Sequence, residues 1–376
     1  MRATRAEVKL NNIAFNIKQI RNRVGKTVRI MGVVKANAYG HGIIEVSKYI
    51  SQTNQFVDYL GVAIIEEAIL LRENNITCPI LVFTSPFEYQ AEEYVKYNIE
   101  PAVSNIKIAQ FLENVAATNN IKIPIHVKVD TGMGRLGIDI KSAAAFVKEL
   151  VKYEHLETKA LFSHFASSDE KDKTFARIQL NKFKELKVFL TQVEEMKIPL
   201  FHFANSAAIL DIEDSYFDMV RPGISMYGYY PSHETTESLD LKPALSLKSK
   251  ISFVKTVDAN TSISYNRRYF TQSKTKIITV PIGYADGLYR QLTNKGYLLI
   301  KDNKFKISGT VCMDQIMIDI GTSLNVKEGD DVIIIGEDNN TKITAWDIAD
   351  IVETIPYEIC CSISNRVPRV YYDEEK

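Results

Sequence analysis

An alternation of short apolar segments with helical patterns runs from Val28 to Ile224 and constrains the fold more than any other feature of the sequence. Eight of the apolar segments predict strands, because they are short, rich in β-branched residues and bounded by turn-forming residues. They are Val28–Val34, Tyr59–Ala63, Ile80–Phe83, Glu100–Val103, Ile125–Val129, Lys159–Phe162, Leu200–Phe203 and Met219–Ile224. Eight strands that alternate with helices predict an N-terminal (β/α)8 TIM-like barrel. The alternative is an open doubly wound sheet, but no glycine-rich dinucleotide fingerprint follows the first strand.

The helical patterns lie mostly between these strands, and one of them precedes the first strand. Each has apolar residues that recur at three- and four-residue spacing, which is typical of an amphipathic helix. The predicted helices are 11–21, 64–73, 86–97, 105–116, 143–152 and 175–196. The last is the longest and contains neither glycine nor proline.

The composition changes after Tyr230. Residues 231–243 are polar and predict a linker, and residues 245–335 contain short segments rich in Ile, Val, Ser and Thr between turn signals. One helix is predicted at 345–353, with Thr344 as its cap and an acidic residue three positions later. We therefore predict two domains, a barrel at 1–240 and a mainly-β domain at 241–376.

Composition and charge exclude several classes of protein. The chain has 46 basic and 46 acidic residues, so it has no basic field that would attract nucleic acid or a membrane surface. It has no apolar run long enough to span a bilayer, and its start lacks the apolar core of a signal peptide. Four cysteines without metal-ligand spacing indicate free thiols, no metal site and a cytoplasmic location.

Polar and glycine residues follow several of the predicted strands, where a barrel has its active site. Lys35 ends the first strand, and the segments 130–137, 163–166 and 204–206 follow strands five to seven. Strand eight carries Arg221. The agreement between these positions and the catalytic end of a barrel is stronger than any single motif.

Lys35 and Arg221 each allow two interpretations on position alone. A desolvated lysine amine can lose its proton, attack a carbonyl and hold an aldehyde cofactor covalently. Most lysines at strand ends are instead solvated, and this is the favoured interpretation for Lys35 without further information. Arg221 is equally compatible with a salt bridge under the barrel rim and with a role in the site.

Nine motifs bring the whole chain close to one known family. They are VVKANAYGHG at 33–42, HVKVDTGMGRLG at 126–137, SHFA at 163–166, FHFANSAA at 201–208, VRPGISMYG at 220–228, SYN at 264–266, VPIGYADG at 280–287, VCMDQ at 311–315 and RVPR at 366–369. In these motifs and their order the chain resembles alanine racemases. The resemblance implies a barrel that binds pyridoxal 5′-phosphate (PLP), a C-terminal β domain, and a homodimer in which that domain contributes to the partner's active site.

The resemblance also implies the reaction and its two acid–base residues. The chain would interconvert L-alanine and D-alanine and supply D-alanine for peptidoglycan. Removing a proton on one face and returning it on the other requires two groups on opposite sides of the cofactor. Lys35 would serve D-alanine, and Tyr265 of the partner subunit would serve L-alanine. Because tyrosine is a poor base at its ordinary pKa near ~10, we expect His164 and Arg221 to assist it, with His202 behind Arg221.

The family match assigns most of the remaining site residues to the cofactor. The PLP phosphate would be bound by the hydroxyls of Tyr39, Ser206 and Tyr357 and by the loops that contain Asn205, Gly223 and Ile224; Ser206 is also compatible with a helix cap. Arg221 would face the pyridine nitrogen, which must then stay unprotonated because arginine has no acceptor.

The substrate and the entrance of the site involve a further group of residues by resemblance. Arg135 and the main chain at Met313, next to Asp314, match positions that bind the substrate carboxylate and support the phenol. Tyr284 and Tyr357 match an aromatic gate whose narrowness suits the methyl side chain of alanine.

Lys128 shares a strand face with His126 and Asp130. In the family the matching lysine is often carbamylated by carbon dioxide, which turns an ammonium into an anion that pairs with the arginine at position 135.

Two positions depart from the family pattern. Asn266 stands where a glycine is common, and asparagine tolerates the left-handed conformation that the glycine would supply. Thr310 stands where an arginine is common. Either residue could tune the entrance or the dimer contact.

Three alternatives remain open at this stage. A related PLP racemase for serine or another amino acid differs only in the shape of its pocket. A PLP decarboxylase of the same architecture would be expected to place an acid, not Arg221, against the pyridine nitrogen and a catalytic cysteine in the β domain, for which Cys312 and Cys360 are weak candidates. A single-domain PLP carrier would lack the residues after Pro243.

Overall fold

The computed structural model describes residues 2–53 and 55–373, which form two compact units. Residues 13–38 and 43–242 make the first unit, and residues 2–12, 39–42 and 243–373 make the second. The chain passes finally into the second unit after Lys242, close to the predicted domain boundary.

The first unit is a closed parallel barrel, as the sequence predicts. The strands from the start of the chain are β1 Arg5–Lys9, β2 Arg29–Val33, β3 Tyr59–Val62, β4 Ile80–Val82, β5 Glu100–Val103, β6 Ile123–Asp130, β7 Ile138–Asp139, β8 Leu156–Phe162, β9 Leu200–His202 and β10 Met219–Val220. Eight of them pair in the order β5-β4-β3-β2-β10-β9-β8-β6, and the β5–β6 pair closes the ring. Every pair in this ring is parallel.

Helices connect the barrel strands. They are Ile43–Lys48, Ile65–Glu73, Ala91–Lys96, Ile106–Thr118, Ala143–Leu150, Thr174–Val188 and Ser206–Asp211, preceded by Leu10–Val24. The helix predicted at 175–196 is wrong at its end, since its regular turns stop at Val188 and a wider π-helical turn, Phe189–Val193, follows. Strand eight was predicted to continue to Ile224 but ends at Val220. Pro222, two residues later, has no N–H to continue a ladder.

The barrel interior contains apolar side chains from successive strands. Met31, Tyr59, Leu81, Ala102, Ala160, Phe162, Leu200 and Met219 form one buried cluster. A filled interior is typical of eight-stranded barrels and leaves the strand ends as the place for a site.

The second unit is mainly β, as predicted. Its later strands are β11 Leu245–Lys250, β12 Phe253–Val257, β13 Ser262–Ile263, β14 Tyr269–Phe270, β15 Thr275–Val280, β16 Tyr297–Ile300, β17 Asn303–Lys306, β18 Ile316–Asp319, β19 Asp331–Asp338, β20 Thr341–Ile343 and β21 Arg369–Tyr372. The N-terminal strand β1 lies between β11, to which it is antiparallel, and β21, to which it is parallel. The start of the chain therefore belongs to this sheet and not to the barrel.

The second unit also contains two helices, Ala345–Val352 and Pro356–Ser362. The predicted cap at Thr344 is confirmed, because its hydroxyl accepts from the N–H of Asp347 at 3.2 Å and the Asp347 carboxylate accepts from the N–H of Thr344 at 2.7 Å. Cys360 and Cys361 lie in the second of these helices. None of the helices in the described residues is long and apolar enough to cross a membrane.

Candidate active site

Lys35 lies at the C-terminal end of β2 and begins a strained turn. The four residues that follow, 36–39, all have φ between 52° and 54°, in the left-handed region. Left-handed helical conformation costs non-glycine residues about 1–2 kcal/mol each, so consecutive examples require strong tertiary support. Strain of this kind is concentrated at functional sites, where the surroundings fix an otherwise unfavourable geometry.

Glu67 supplies part of that support. Its Oε1 accepts a hydrogen bond from the N–H of Ala36 at 2.6 Å, and its Oε2 accepts from the N–H of Ala63 at 2.9 Å. One carboxylate thus joins the ends of β2 and β3 directly after Lys35. The Asn37 side chain accepts from the N–H of Ile43 at 2.9 Å and links the turn to the next helix. The sequence analysis did not identify Glu67, since it lies on a helix more than thirty residues away.

Arg221 is buried at the end of β10 and is held by acceptors without formal charge. Its Nη2 donates to the carbonyl oxygens of Ser163 at 2.7 Å and Phe203 at 3.0 Å, and its Nη1 lies 2.8 Å from Nδ1 of His202. Burial lowers the pKa of Arg221 to about 9, so the guanidinium remains protonated at neutral pH. Among the described residues, none accepts a hydrogen bond from Nε, which leaves this donor available to a ligand.

His164 follows β8 and belongs to the same group. Its Nδ1 lies 3.3 Å from Nη2 of Arg221. Burial and then the charge of Arg221 lower the pKa of His164 well below its ordinary value, so the imidazole is neutral. Gln179, which the sequence analysis missed, supports this segment by donating to the His164 carbonyl at 3.2 Å and accepting from the N–H of Ala166 at 2.9 Å.

Lys128 lies on β6 with its amine buried over the ring of Phe162, 4.7 Å from the centroid. Burial, followed by the positive charges of Arg221 and Arg135, lowers the pKa of Lys128 well below its ordinary value. Asp130 opposes this effect without outweighing it. Burial and these two positive charges therefore both disfavour the ammonium form of Lys128.

Arg135 projects from the exposed loop that follows β6. Asp130 closes this loop by accepting from the N–H groups of Gly132 at 2.8 Å and Gly134 at 3.0 Å. Gly137 has φ +134°, and a Cβ there would lie 2.6 Å from the nitrogen of Asp130. The glycines of this motif are thus required by the tight loop that presents Arg135.

The ends of β9 and β10 form a polar cradle around Ser206. Its Oγ accepts from the N–H of Gly223 at 2.8 Å and lies 3.1 Å from the hydroxyl of Ser225. Asn205 caps the helix that begins at Ser206 by accepting from the N–H of Ala208 at 3.0 Å. Ile224 begins a short 3-10 turn directly after Gly223. Hydroxyls and main-chain N–H groups of this kind suit an anion.

Four of the predicted residues of the second unit lie on exposed loops or short turns, namely Tyr265, Tyr284, Met313 and Asp314. The side chains of Tyr265, Tyr284 and Met313 are among its exposed large apolar groups, at 69%, 43% and 52% exposure. Two of these loops are joined, because the N–H groups of Tyr284 and Ala285 donate to the carbonyls of Cys312 and Met313, each at 3.0 Å. Asp314, beside Met313, pairs with Arg366 at 2.8 Å.

The two departures from the family pattern both lie at Tyr265. Asn266 adopts φ 61°, so it takes the left-handed conformation expected of it. The hydroxyl of Thr310 donates to the carbonyl of Tyr265 at 2.8 Å, and Ser264 donates to the carbonyl of Thr310 at 2.6 Å. Thr310 thus holds the main chain that carries the phenol.

Tyr39 and Tyr357 lie together in the second unit, with ring centroids 5.8 Å apart. The segment around Tyr39 packs closely there, since a Cβ at Gly40 would lie 2.1 Å from the carbonyl oxygen of Cys360. Arg369, from the last predicted motif, donates to the carbonyl of Gly40 at 3.0 Å.

Comparison with known proteins agrees with this geometry over the whole chain. The sequence models of the alanine racemase N-terminal and C-terminal domains match residues 8–231 and 244–371. Alanine racemase 2 of Caldanaerobacter subterraneus subsp. tengcongensis is 46% identical over 99% of this chain and 95% of its own length. Alanine racemase of Clostridium difficile 630 is 40% identical, with a TM-score of 0.93 over 99% of this chain and 96% of that one. A Bartonella henselae alanine racemase with covalently bound pyridoxal phosphate is 28% identical, with a TM-score of 0.87 over 99% and 100% of the two chains.

Proposed function

The chain belongs to the alanine racemase family, and on that premise we propose that it interconverts L-alanine and D-alanine with PLP as its cofactor. The observation that carries the proposal is the arrangement at the barrel rim. Lys35 lies two residues after the end of the first barrel strand, and Arg221, buried and with an unused Nε donor, directly follows the last one. The relatives with which the chain shares its whole length are isomerases by name, which supports the same activity.

The residues of the barrel fit PLP. The cradle at Ser206, Gly223 and Ile224 would hold the phosphate together with Asn205, and Tyr39 and Tyr357 are proposed to add their hydroxyls. The Nε of Arg221 would donate to the pyridine nitrogen. When bound, PLP supplies an electron-accepting ring that stabilises negative charge on the α-carbon of the substrate.

Arg221 is proposed to limit that electron withdrawal. A guanidinium has donors but no acceptor, and its pKa of about 9 keeps it charged at neutral pH. The ring nitrogen that faces it must therefore accept and stay unprotonated. His164 and His202 are neutral at this position and do not supply a proton to it. The arrangement favours return of the proton to the α-carbon over side reactions such as transamination.

Two groups are proposed to move the proton. Nζ of Lys35 would remove it from D-alanine or return it on one face, and Oη of Tyr265 of the partner subunit would do so for L-alanine on the other face. The exposure of Tyr265 in its own chain is consistent with a role in another chain. Arg135 and the main chain at Met313 would orient the substrate carboxylate, and Tyr284 would narrow the entrance. Asp314 would hold Met313 in place through its pair with Arg366.

The activity is tested by purifying the protein with PLP and following conversion of D-alanine to L-alanine and the reverse, with serine as the competing substrate. We expect visible absorbance from bound cofactor and racemisation of alanine at a higher kcat/KM than serine. Bound PLP without alanine racemisation would overturn the proposal, and faster turnover of serine would reassign the substrate. Growth of a bacterium that lacks its own alanine racemase, without added D-alanine, would test the proposed role in peptidoglycan supply.

Carbamylation of Lys128 is proposed because a neutral buried amine is the form that reacts with carbon dioxide. The amine adds to the carbon of CO2, loses one proton to solvent and becomes an anion between Arg221 and Arg135. Replacing Lys128 with alanine is expected to lower kcat by about 10- to 100-fold, the usual cost of losing a supporting partner. Acetate or propionate should restore part of the activity by supplying a carboxylate at the same place.

The matched control is Lys122→Ala, which removes an exposed lysine near the start of the same strand. It should leave the rate unchanged with or without added acid. Protein prepared with 13C-labelled bicarbonate should give a carbamate carbon signal that is absent from Lys128→Ala. Full activity of Lys128→Ala without added acid would contradict the carbamate.

A further inference from the structure

A row of five polar side chains crosses the barrel interior and ends at Arg221. Lys159 Nζ lies 2.6 Å from Oε1 of Glu100, and Oε2 of Glu100 lies 2.7 Å from Nε2 of His126. Nδ1 of His126 lies 3.1 Å from Nε2 of His202, whose Nδ1 lies 2.8 Å from Nη1 of Arg221. We call these five residues the interior relay.

The hydrogen bonds between Arg221 and Glu100 must all be donated in the same direction, because the guanidinium can only donate and the carboxylate can only accept. A guanidinium only donates, so Nδ1 of His202 must accept and its proton must be on Nε2. That proton is donated to Nδ1 of His126, which places the proton of His126 on Nε2. It is then donated to Glu100, which as a carboxylate only accepts. Every donor between Arg221 and Glu100 therefore points towards Glu100, and Lys159 donates to the same carboxylate from the other side.

The relay histidines are neutral. Burial lowers the pKa of His202 well below its ordinary value and also lowers that of His126. Burial alone would raise the pKa of Glu100, but hydrogen bonds from His126 and Lys159 outweigh it, so the carboxylate stays ionised. The ring of His202 is also fixed by stacking on Phe162, at 4.8 Å between centroids and 3° between planes. With their charge and the ring position of His202 fixed, the two histidines can still differ in which ring nitrogen carries the proton.

Such a row is costly in this position. Barrel interiors are normally filled by branched aliphatic side chains, and buried polar groups are tolerated only where each has a partner. Glu100 is the first residue of β5 and Lys159 is the central residue of β8, so the ionic end of the relay lies deeper in the barrel than Arg221, which follows the end of β10. Among the described residues, no carboxylate contacts Arg221 directly. Glu100 is the negative charge to which the arginine is connected by hydrogen bonds.

We propose that Glu100 is a positioning residue that fixes the tautomers of His126 and His202 and thereby aims the Nε of Arg221 at the cofactor. The proposal rests on the proposed function and extends it into the interior of the barrel. Its central requirement is that Nδ1 of His202 stays an acceptor. A proton there would meet the Nη1 donor of Arg221 and displace the guanidinium.

The sharpest test reverses the relay. In Glu100→Gln, the ammonium of Lys159 can only donate, so it takes the amide oxygen and turns the amide NH2 towards Nε2 of His126. His126 must then carry its proton on Nδ1, and His202 in turn on its own Nδ1. We expect kcat to fall by about tenfold or more, with little change in KM for alanine, because Arg221 would contact the cofactor and not the substrate.

The double variant Glu100→Gln/Lys159→Met separates positioning from a structural role. Without the ammonium, the amide oxygen is available to His126 and the original direction can return. We expect the double variant to regain most of the lost kcat. If Glu100 had only a structural role, the double variant should have a lower kcat than Glu100→Gln, because the second substitution removes a further contact. Glu113→Gln is the matched control, since Glu113 also binds a histidine, His155, at 2.9 Å, outside the relay. It should leave kcat unchanged.

A second readout does not depend on turnover. With 15N-labelled histidine in the PLP-loaded enzyme, the ring nitrogens of His126 and His202 should both report a proton on Nε2, and Glu100→Gln should move it to Nδ1. A proton on Nδ1 of either residue in the unsubstituted protein would overturn the proposal, even if the variants fail to fold. An active enzyme whose kcat is unaffected by Glu100→Gln, or is not rescued in the double variant, would also overturn it. Absence of alanine racemisation in the unsubstituted protein would instead refute the proposed function.

Discussion

Replacing Lys35 with alanine is expected to remove covalent attachment of PLP and to lower racemisation by about 10⁴-fold, the upper end of what one acid–base group contributes. Two losses coincide in this variant. The variant lacks the amine that we propose attaches the cofactor, and the same amine is the group proposed to exchange the proton on one face of the substrate. The left-handed turn directly after Lys35 is held by the Glu67 carboxylate, which accepts from the N–H of Ala36.

Borohydride reduction followed by peptide mapping measures the attachment directly. In the unsubstituted protein we expect the cofactor on the peptide that contains Lys35, and in Lys35→Ala on none. Lys48→Ala is the matched control, because this lysine lies in the helix that follows the same turn. It should retain both attachment and activity. Cofactor found on any other lysine of the unsubstituted protein would refute the assignment.

The barrel could be predicted because its signal is local. Each strand is a short run of β-branched or apolar residues, and the helices between them are long enough to show their period. All eight predicted strands are present, with ends that differ by a few residues. The shortened eighth strand illustrates the limit, since Pro222 stops the ladder although the segment stays apolar.

The N-terminal strand could not be predicted for the opposite reason. The segment RAEVK is short and half charged, and it gains its partners from residues 245–248 and 369–372, far along the chain. The left-handed turn at residues 36–39 could not be predicted from local sequence either. Alanine strongly favours the right-handed helix, so no local preference at Ala36 or Ala38 indicates the observed conformation. Contacts made elsewhere in the fold determine it.

The candidate site also contains some residues that could be predicted from local sequence and others that depend on contacts between distant segments. Lys35, Arg221 and Ser206 follow strands, so the barrel rule alone placed them at one rim, and their proposed roles stay predictions. Glu100 and Lys159 lie 59 residues apart, and each stands in a segment that the sequence analysis used only as a strand. The sequence did contain one signal of this pair, namely a charged residue in each of two otherwise apolar barrel strands. The pairing of Glu100 with Lys159 could be recognised only from the register of the sheet.

The second large effect concerns Tyr265. Replacing it with phenylalanine is expected to abolish most activity, because the substitution removes the phenolic oxygen that we propose serves L-alanine. The loops that carry Tyr265, Tyr284 and Met313 are exposed in their own unit. If this exposed tyrosine has the proposed acid–base role, it needs a cofactor-binding surface to act on, and a second copy of the chain would provide it. Tyr297→Phe is the matched control, since Tyr297 is a partly exposed tyrosine of the same unit and should tolerate the change.

Mixing inactive subunits tests whether the site is shared. In a two-fold dimer of Lys35→Ala with Tyr265→Phe, one site would contain both substitutions and the other would contain neither. Random re-association should give half mixed dimers with one intact site each, so activity should return to about a quarter of that of the unsubstituted enzyme. If each chain built its own site, every site in the mixture would have one defect.

Two measurements complete this experiment. Differently tagged subunits show how much mixed dimer has formed, and recovered activity should follow that fraction. A mixture of Lys35→Ala with the double variant Lys35→Ala/Tyr265→Phe should stay inactive, because no site in it contains a lysine at position 35. If mixed dimers form in full and remain as inactive as their parents, Tyr265 belongs to the site of its own chain. The shared-site model excludes that result, because one of the two sites in each mixed dimer would then contain both Lys35 and Tyr265 intact.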